Sequence, residues 1–289
     1  MIVAVLCLAS ARFINVNAVV MSSPSPVLQH KSENPGVTDG VYDGVLMKMT
    51  DISYSNLDAY VGDTLGQIGV FTESGTGPSG IYQQIRKVNG LDWHLSSGQA
   101  DQKFFSDLNN WKIVDVENRE PSDGFYAVAF EQGNTVVIAY RGTDDVQDLV
   151  SDAGIYLDIQ SSVAQLRLAQ QFASNVRKSL PSGSYHVIFT GHSIGGWMAQ
   201  QLYLDEVGNT NSWQAVSATV FNSIGTGFRP NSIDGFNVKD YHLQGDIFSH
   251  FGTSLGQEID VPNKLANESV YDKHQMYNFY GYFYPVQQN

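Results

Sequence analysis

The chain has a single cysteine, Cys7, and that count excludes disulfide frameworks and cysteine-based zinc sites. Charge is scarce as well: charged residues make up 16% of the 289 positions, while hydrophobic residues reach 42%. Disorder needs the opposite balance, low hydrophobicity with high charge. Positive charge is scarcest, with 16 Lys+Arg against 29 Asp+Glu, a formal net charge of −13, and no basic cluster anywhere. A phosphate backbone is recognised through a basic footprint, so nucleic acid is not an expected partner. Also missing is any apolar run near the ~18 residues of a membrane helix. The N-terminal run from Ile2 to Ala11 is too short to span a bilayer but suits the apolar core of a signal peptide, with Ala9-Ser10-Ala11 as a small-residue cleavage site. The expectation is a secreted protein with residues 1–20 as signal peptide, although only the α-amino group supplies the basic end.

Residues 21–40, rich in Ser and Pro, read as a linker, and 41–289 as a single domain. Leu46, Met49 and Ile52 predict a helix from Val45 to Tyr60, and the Gly- and Ser-rich stretch 62–100 predicts loops and short pieces. The pattern sharpens at Gly124. Two apolar runs, Gly124–Glu131 and Thr135–Tyr140, flank Gly133-Asn134, a strong two-residue hairpin signal. A helix is expected over 161–179, then a strand over Tyr185–Thr190, a helix over Trp197–Val207, and strands over Ser217–Asn222 and Val238–Leu243. This alternation predicts an α/β fold, a mostly parallel central sheet flanked by helices on both faces. Reactive groups in such folds gather at the carboxyl ends of the strands.

Two Gly-x-Ser-x-Gly motifs occur, around Ser193 and around Ser254. A nucleophile elbow requires strand, tight turn and helix, with glycines where backbone approaches too closely for a side chain. Ser193 has all three parts, and Ser254 is assigned to a loop. A serine hydroxyl needs a base to take its proton, and the base needs an orienting acid. Asp246 terminates a strand at the sheet's carboxyl edge. In the order Ser, acid, His, the bases left are His250, four residues beyond Asp246 on the same loop, and His274, which arrives separately and is preferred. His242, Asp246 and His250 also stand at helical spacing, but Gly245 and the β-rich run before it oppose a helix, so no metal site is expected. The oxyanion of an acyl-transfer intermediate needs donors. Those expected are the Ile194 N–H and a group from the loop after the Thr135–Tyr140 strand, which begins Arg141-Gly142-Thr143.

The run Val136–Thr143, with Asp148 and Asp152 behind it, resembles the RG[ST]…D block of class 3 lipases of the fungal triacylglycerol-lipase type. Phe189–Gly196 is similar to the elbow of that family, with Ile194 where Leu is usual, and Gly245-Asp246 resembles the block around its acid. The resemblance spans about residues 124–280 and implies an α/β-hydrolase fold for 41–289. It further implies a triad of Ser193, Asp246 and His274, oxyanion donors Thr143 and Ile194, and a structural Arg141 paired with acids beneath the site. The interval from Ser193 to His274 is shorter than in the larger fungal enzymes. The implied activity is hydrolysis of lipid carboxylic esters through an acyl-enzyme, with no cofactor, a lipid or small ester as substrate, and no obligate protein partner. A phospholipase A1 or short-chain carboxylesterase would share every motif, and a non-catalytic hydrolase-like binding protein is the reading from another class. Val146, Leu149, Val150 and Ala153 fall at helical spacing opposite acids, so 144–158 is either a lid or a helix packed on the core. The aromatic tail Tyr277–Tyr284 reads as core packing or as the lining of an acyl pocket.

Overall fold

The hairpin at Gly133-Asn134 begins the organisation of the sheet. Gly133 takes a φ of +63°, the conformation that a two-residue turn needs at its first position. It joins β4 (Phe125–Gln132) to β5 (Thr135–Tyr140) in antiparallel register, Gln132 facing Thr135. The computed structural model describes residues 36–74, 76–78, 104–142, 152–209, 212–226, 235–263 and 269–285, with backbone alone over 152–163. All of these fall in one compact unit, Glu33–Asn289. The segment 1–35, with the expected signal peptide, lies outside the described residues.

Seven strands form one sheet in the order β3-β4-β5-β6-β7-β8-β9. Here β3 is Lys112–Arg119, β6 His186–His192, β7 Ala215–Phe221, β8 Val238–Leu243 and β9 Gln257–Val261. The first three pair antiparallel, and β5 through β9 run parallel. Parallel strands laid down in sequence by right-handed crossovers place their connecting helices on a single face. That face carries α3 (Asp152–Ser179) and α4 (Ile194–Glu206), whose Phe172, Val176, Met198 and Leu202 pack on Ala127, Ile138, Val187 and Phe189.

Among the described residues no crossover helix lies on the other face, and the ends of the domain fill it. There α1 (Asp43–Ile52), buried along its whole length, α2 (Leu65–Glu73), through Leu65 and Ile68, and the tail residues Met276, Phe279 and Phe283 pack with Tyr126, Val128, Ile188 and Phe221. Buried on both faces, β4 and β5 are apolar at almost every position, as covered strands must be. Thr50 of α1 is satisfied internally: its Oγ1 lies 2.7 Å from Thr190 Oγ1, and the Thr190 hydroxyl donates to the Thr219 carbonyl at 2.6 Å. The aromatic tail is therefore core, with Phe279 and Phe283 edge-on to Phe221.

Three boundaries differ from the sequence pattern. The first helix ends at Ile52, not Tyr60, because Ser53 and Ser55 turn their carbonyls to the Arg141 guanidinium (2.6 and 3.1 Å). A helix carried through these residues would consume those carbonyls. The long helix begins at Asp152 rather than 161. A short hairpin of β1 (Val37–Thr38) and β2 (Val41–Tyr42) straddles residue 40, where the linker was drawn. Its Thr38 is buried and donates to Asp43 Oδ1 at 2.6 Å.

Candidate active site

The carboxyl ends of β5, β6, β7 and β8 lie side by side. Register sets Tyr140 beside Gly191, His192 beside Phe221, and Phe221 beside Tyr241, so the residues that follow each strand converge on one edge.

Ser193 is where β6 gives way to α4. Its backbone sits at φ 57°, ψ −125°, a sparsely populated region that costs a non-glycine residue ~1–3 kcal/mol. Contacts on both sides hold it there. Its N–H donates to the Phe221 carbonyl at 3.2 Å, and its carbonyl accepts the Trp197 and Ile224 N–H groups at 3.1 and 3.4 Å. The helix starts with Gly195 and Gly196, each ~1 kcal/mol worse than alanine. Both are needed for close approach, since a Cβ on Gly195 would collide with the Tyr140 carbonyl and one on Gly196 would stand 2.6 Å from Ser223 Oγ. Burial of Met198, Leu202 and Tyr203, at ~1.5–3 kcal/mol for a large apolar side chain, outweighs that loss. Ile194 is the first residue of α4, so its N–H has no acceptor within the helix and lies at the positive end of the dipole.

The loop after β5 passes against this turn. A Cβ on Gly142 would stand 2.5 Å from the His192 carbonyl oxygen and 3.1 Å from Ser193 Cβ. Arg141 is buried, ion-paired with Glu120, hydrogen-bonded to Ser53 and Ser55, and 3.9 Å from the centroid of the Tyr126 ring. It has the structural place expected of it. Thr143 lies outside the described residues, as do 144–151 of the segment read as a lid or a core-packed helix; the rest of that segment belongs to α3 as backbone.

Beyond β8, Gly245 at φ +87° makes the turn that presents Asp246. Asp246 Oδ1 accepts the Phe248 N–H at 3.1 Å, and Oδ2 stands 3.0 Å from His274 Nδ1. His274 closes the short helix α5 (Val270–His274), on a separate segment from the acid. The rings of His192 and Phe248 pack against it, with centroids at 4.5 and 4.7 Å. Burial alone would raise the Asp246 pKa, but the His274 contact and the Phe248 N–H more than reverse it, holding the carboxyl below its usual range. A carboxylate only accepts, so Nδ1 of His274 carries a proton, and in the neutral form of the ring Nε2 is bare. Ser193, Asp246 and His274 are all fully buried, and neither Ser193 Oγ nor His274 Nε2 has a hydrogen-bond partner among the described residues. Orphaned buried polar atoms are rare and call for an explanation.

The other candidates are held elsewhere. Ser254 is in a loop, its hydroxyl donating to Asp240 Oδ2 at 2.7 Å. His242 Nε2 stands 3.0 Å from the same oxygen. His250 is the exposed last residue of the 3-10 turn Phe248–His250, its ring 6.4 Å from that of His242. Among the described residues no group of three His, Cys, Asp or Glu could hold a metal ion. Three residues that the motifs did not single out complete the edge. Asn222 donates to the His274 carbonyl at 3.2 Å and accepts the Leu243 N–H at 2.8 Å. His192 and Tyr54 are the other two. Nothing local marks Asn222 or Tyr54, because their partners come from distant segments; His192 lies within the Phe189–Gly196 elbow run, but its partners Tyr54 and His274 are distant too.

The family model of the Tle-like phospholipase domain, of phospholipase-like type, matches residues 94–265. The chain belongs to this family. The match takes in Ser193 and Asp246 and ends before His274. Among solved structures, a mutant form of MDLA from Penicillium cyclopium is similar to this Tle-like chain at 14% identity and a TM-score of 0.52, covering 81% of this chain and 84% of that one. The triacylglyceride lipase of Rhizomucor miehei is 17% identical, with a TM-score of 0.43, over 63% of this chain and 78% of that one. A lipase from Rhizopus microsporus var. chinensis is 17% identical, with a TM-score of 0.39, over 66% and 70%. At this low identity the likeness to the Penicillium cyclopium protein establishes the fold alone, that of an α/β-hydrolase. No curated protein matches the chain in sequence.

Proposed function

We propose that this Tle-like protein hydrolyses carboxylic esters of lipids through Ser193, His274 and Asp246. The observation that carries the reading is the pair of buried, unpartnered atoms, Ser193 Oγ on a strained elbow and Nε2 of a histidine whose other nitrogen is fixed 3.0 Å from a carboxylate. Nε2 takes the Ser193 proton as Oγ bonds to the ester carbonyl carbon, and the carbonyl pair moves onto oxygen. Asp246 holds the ring in the required tautomer and stabilises the imidazolium. The Ile194 N–H, with Thr143, receives the oxyanion, each such donor contributing ~3–4 kcal/mol. When the intermediate collapses, His274 protonates the leaving alcohol. Water then repeats the sequence on the acyl-enzyme, releasing the acid and restoring Ser193.

Triacylglycerol-type esters are the first substrate class proposed, on the class 3 resemblance. Phospholipid acyl esters are the second reading, and the phospholipase-like family match favours it. The test is hydrolysis of p-nitrophenyl esters from C2 to C16, and of triacylglycerol and phosphatidylcholine dispersions, by wild type and Ser193→Ala. Activity abolished by Ser193→Ala is expected; wild type inactive on every substrate would turn the reading toward a binding role. Secretion is likewise a proposal, resting on the N-terminal run, and detection of the chain in the medium with residues 1–20 removed would test it.

A further inference from the structure

His192, immediately before the nucleophile, is buried with both ring nitrogens engaged: Nδ1 lies 2.8 Å from the Tyr54 hydroxyl and Nε2 lies 2.6 Å from the His274 carbonyl oxygen. A carbonyl only accepts, so Nε2 carries the proton. Burial first, then the neighbouring His274, press the ring's pKa down to about 3, so it is neutral and Nδ1 must accept. The Tyr54 hydroxyl therefore donates to Nδ1. The same oxygen accepts the Gly142 N–H at 3.2 Å. The polarity of every link is thus forced: Gly142 N–H to Tyr54, Tyr54 O–H to His192, His192 N–H to the backbone of His274. The Tyr54 ring stands edge-on to that of His192, centroids 5.9 Å apart.

This chain of bonds begins on the loop that leads to Thr143 and ends on the residue proposed as base, passing behind Ser193. We propose that Tyr54 and His192 are positioning residues, an uncharged strut that fixes the His274 backbone relative to the Gly142 loop and so aligns base and oxyanion donors about Ser193. The inference rests on the triad reading above. It differs from a folding role in what it predicts, because a strut between two reacting elements governs turnover in molecules already folded.

The test uses the full chain with sites counted by a p-nitrophenyl phosphonate, whose phosphorus bonds to Ser193 Oγ as one p-nitrophenolate leaves. Tyr54→Phe keeps the ring and removes the hydroxyl, His192→Leu removes both links, and His192→Gln restores a donor toward the His274 carbonyl. Small misplacements of catalytic groups cost up to ~100-fold. Per titrated site, kcat should fall ~10-fold or more in Tyr54→Phe and ~100-fold in His192→Leu, with KM within about twofold. His192→Gln should recover most of the His192→Leu loss. Variants with fewer titratable sites but wild-type kcat per site would overturn the strut and leave a structural role. Ser193→Ala run beside them separates the two claims: if it is inactive while Tyr54→Phe and His192→Leu turn over normally, only the strut falls; if it is active, the triad falls first.

Discussion

Asp246 Oδ2 stands 3.0 Å from His274 Nδ1 with both side chains fully buried, although the two residues are 28 positions apart and come from different segments. A buried carboxylate facing a ring nitrogen fixes which nitrogen is protonated. Asp246→Asn would keep the shape and invert the preference, since an amide that donates to Nδ1 leaves the proton on Nε2. The expected result is a kcat ~10⁴-fold lower with KM little changed, as found when a triad acid is made an amide in another fold. A loss below tenfold in steady-state kinetics would contradict the assigned role.

The depressed Asp246 pKa has a definite sign in stability. Its contribution is present above the ordinary unfolded carboxylate value of ~3.9 and is lost as pH falls through the lower folded value. Wild type should therefore lose stability more steeply than Asp246→Asn below about pH 4. Thermal melts between pH 3 and 7 would show it, and parallel curves would contradict it.

His242 has the opposite sign. Burial opposes its charge, but Asp240, with Glu258 and Asp246 further off, outweighs burial and raises its pKa to about 9. A raised pKa stabilises fully below the unfolded value of ~6.5, and that stability is lost as pH rises through about 9. Melts from pH 6 to 10 should fall in wild type and flatten in His242→Phe over the same range. A pH-independent wild type would contradict the pairing.

Ser254→Ala separates the two serine motifs. Its hydroxyl donates to the Asp240 carboxylate, a bond to a charged group that contributes ~1.5–3 kcal/mol. Denaturant unfolding should show a loss of that order while activity per folded molecule is kept. Loss of activity at unchanged stability would place the nucleophile in the wrong motif.

Gly142→Ala tests the approach of the loop to the elbow. The added methyl would meet the His192 carbonyl and the Tyr54 hydroxyl (2.5 and 2.9 Å), an overpacking expected to cost ~1–3 kcal/mol and to lower turnover at least tenfold. Gly183→Ala, whose Cβ would meet Tyr185 no closer than 3.4 Å, is the control. Equal behaviour of the two variants would contradict the packing described.

The parts legible in the sequence are those whose pattern is local. The hairpin at Gly133-Asn134 and the strand–turn–helix at Ser193 carry their own turn chemistry. Strands β5, β6 and β7 are apolar because both faces are covered. The edge strands β3 and β9 escaped notice for the opposite reason: Lys112–Arg119 and Gln257–Val261 are only partly buried and largely polar. The end of α1 is set by Arg141, 88 positions from Ser53, with which it bonds, so no local propensity could mark it. The roles of Tyr54 and Asn222 were hidden in the same way, and so were the partners of His192.

The central claim, that Ser193 is the nucleophile, is tested most directly by the site of covalent attachment. Wild type treated with a p-nitrophenyl phosphonate is digested and the adduct located by mass spectrometry. The account predicts one adduct per chain, on Ser193, and none in Ser193→Ala. An adduct on Ser254, or one that persists in Ser193→Ala, would contradict it.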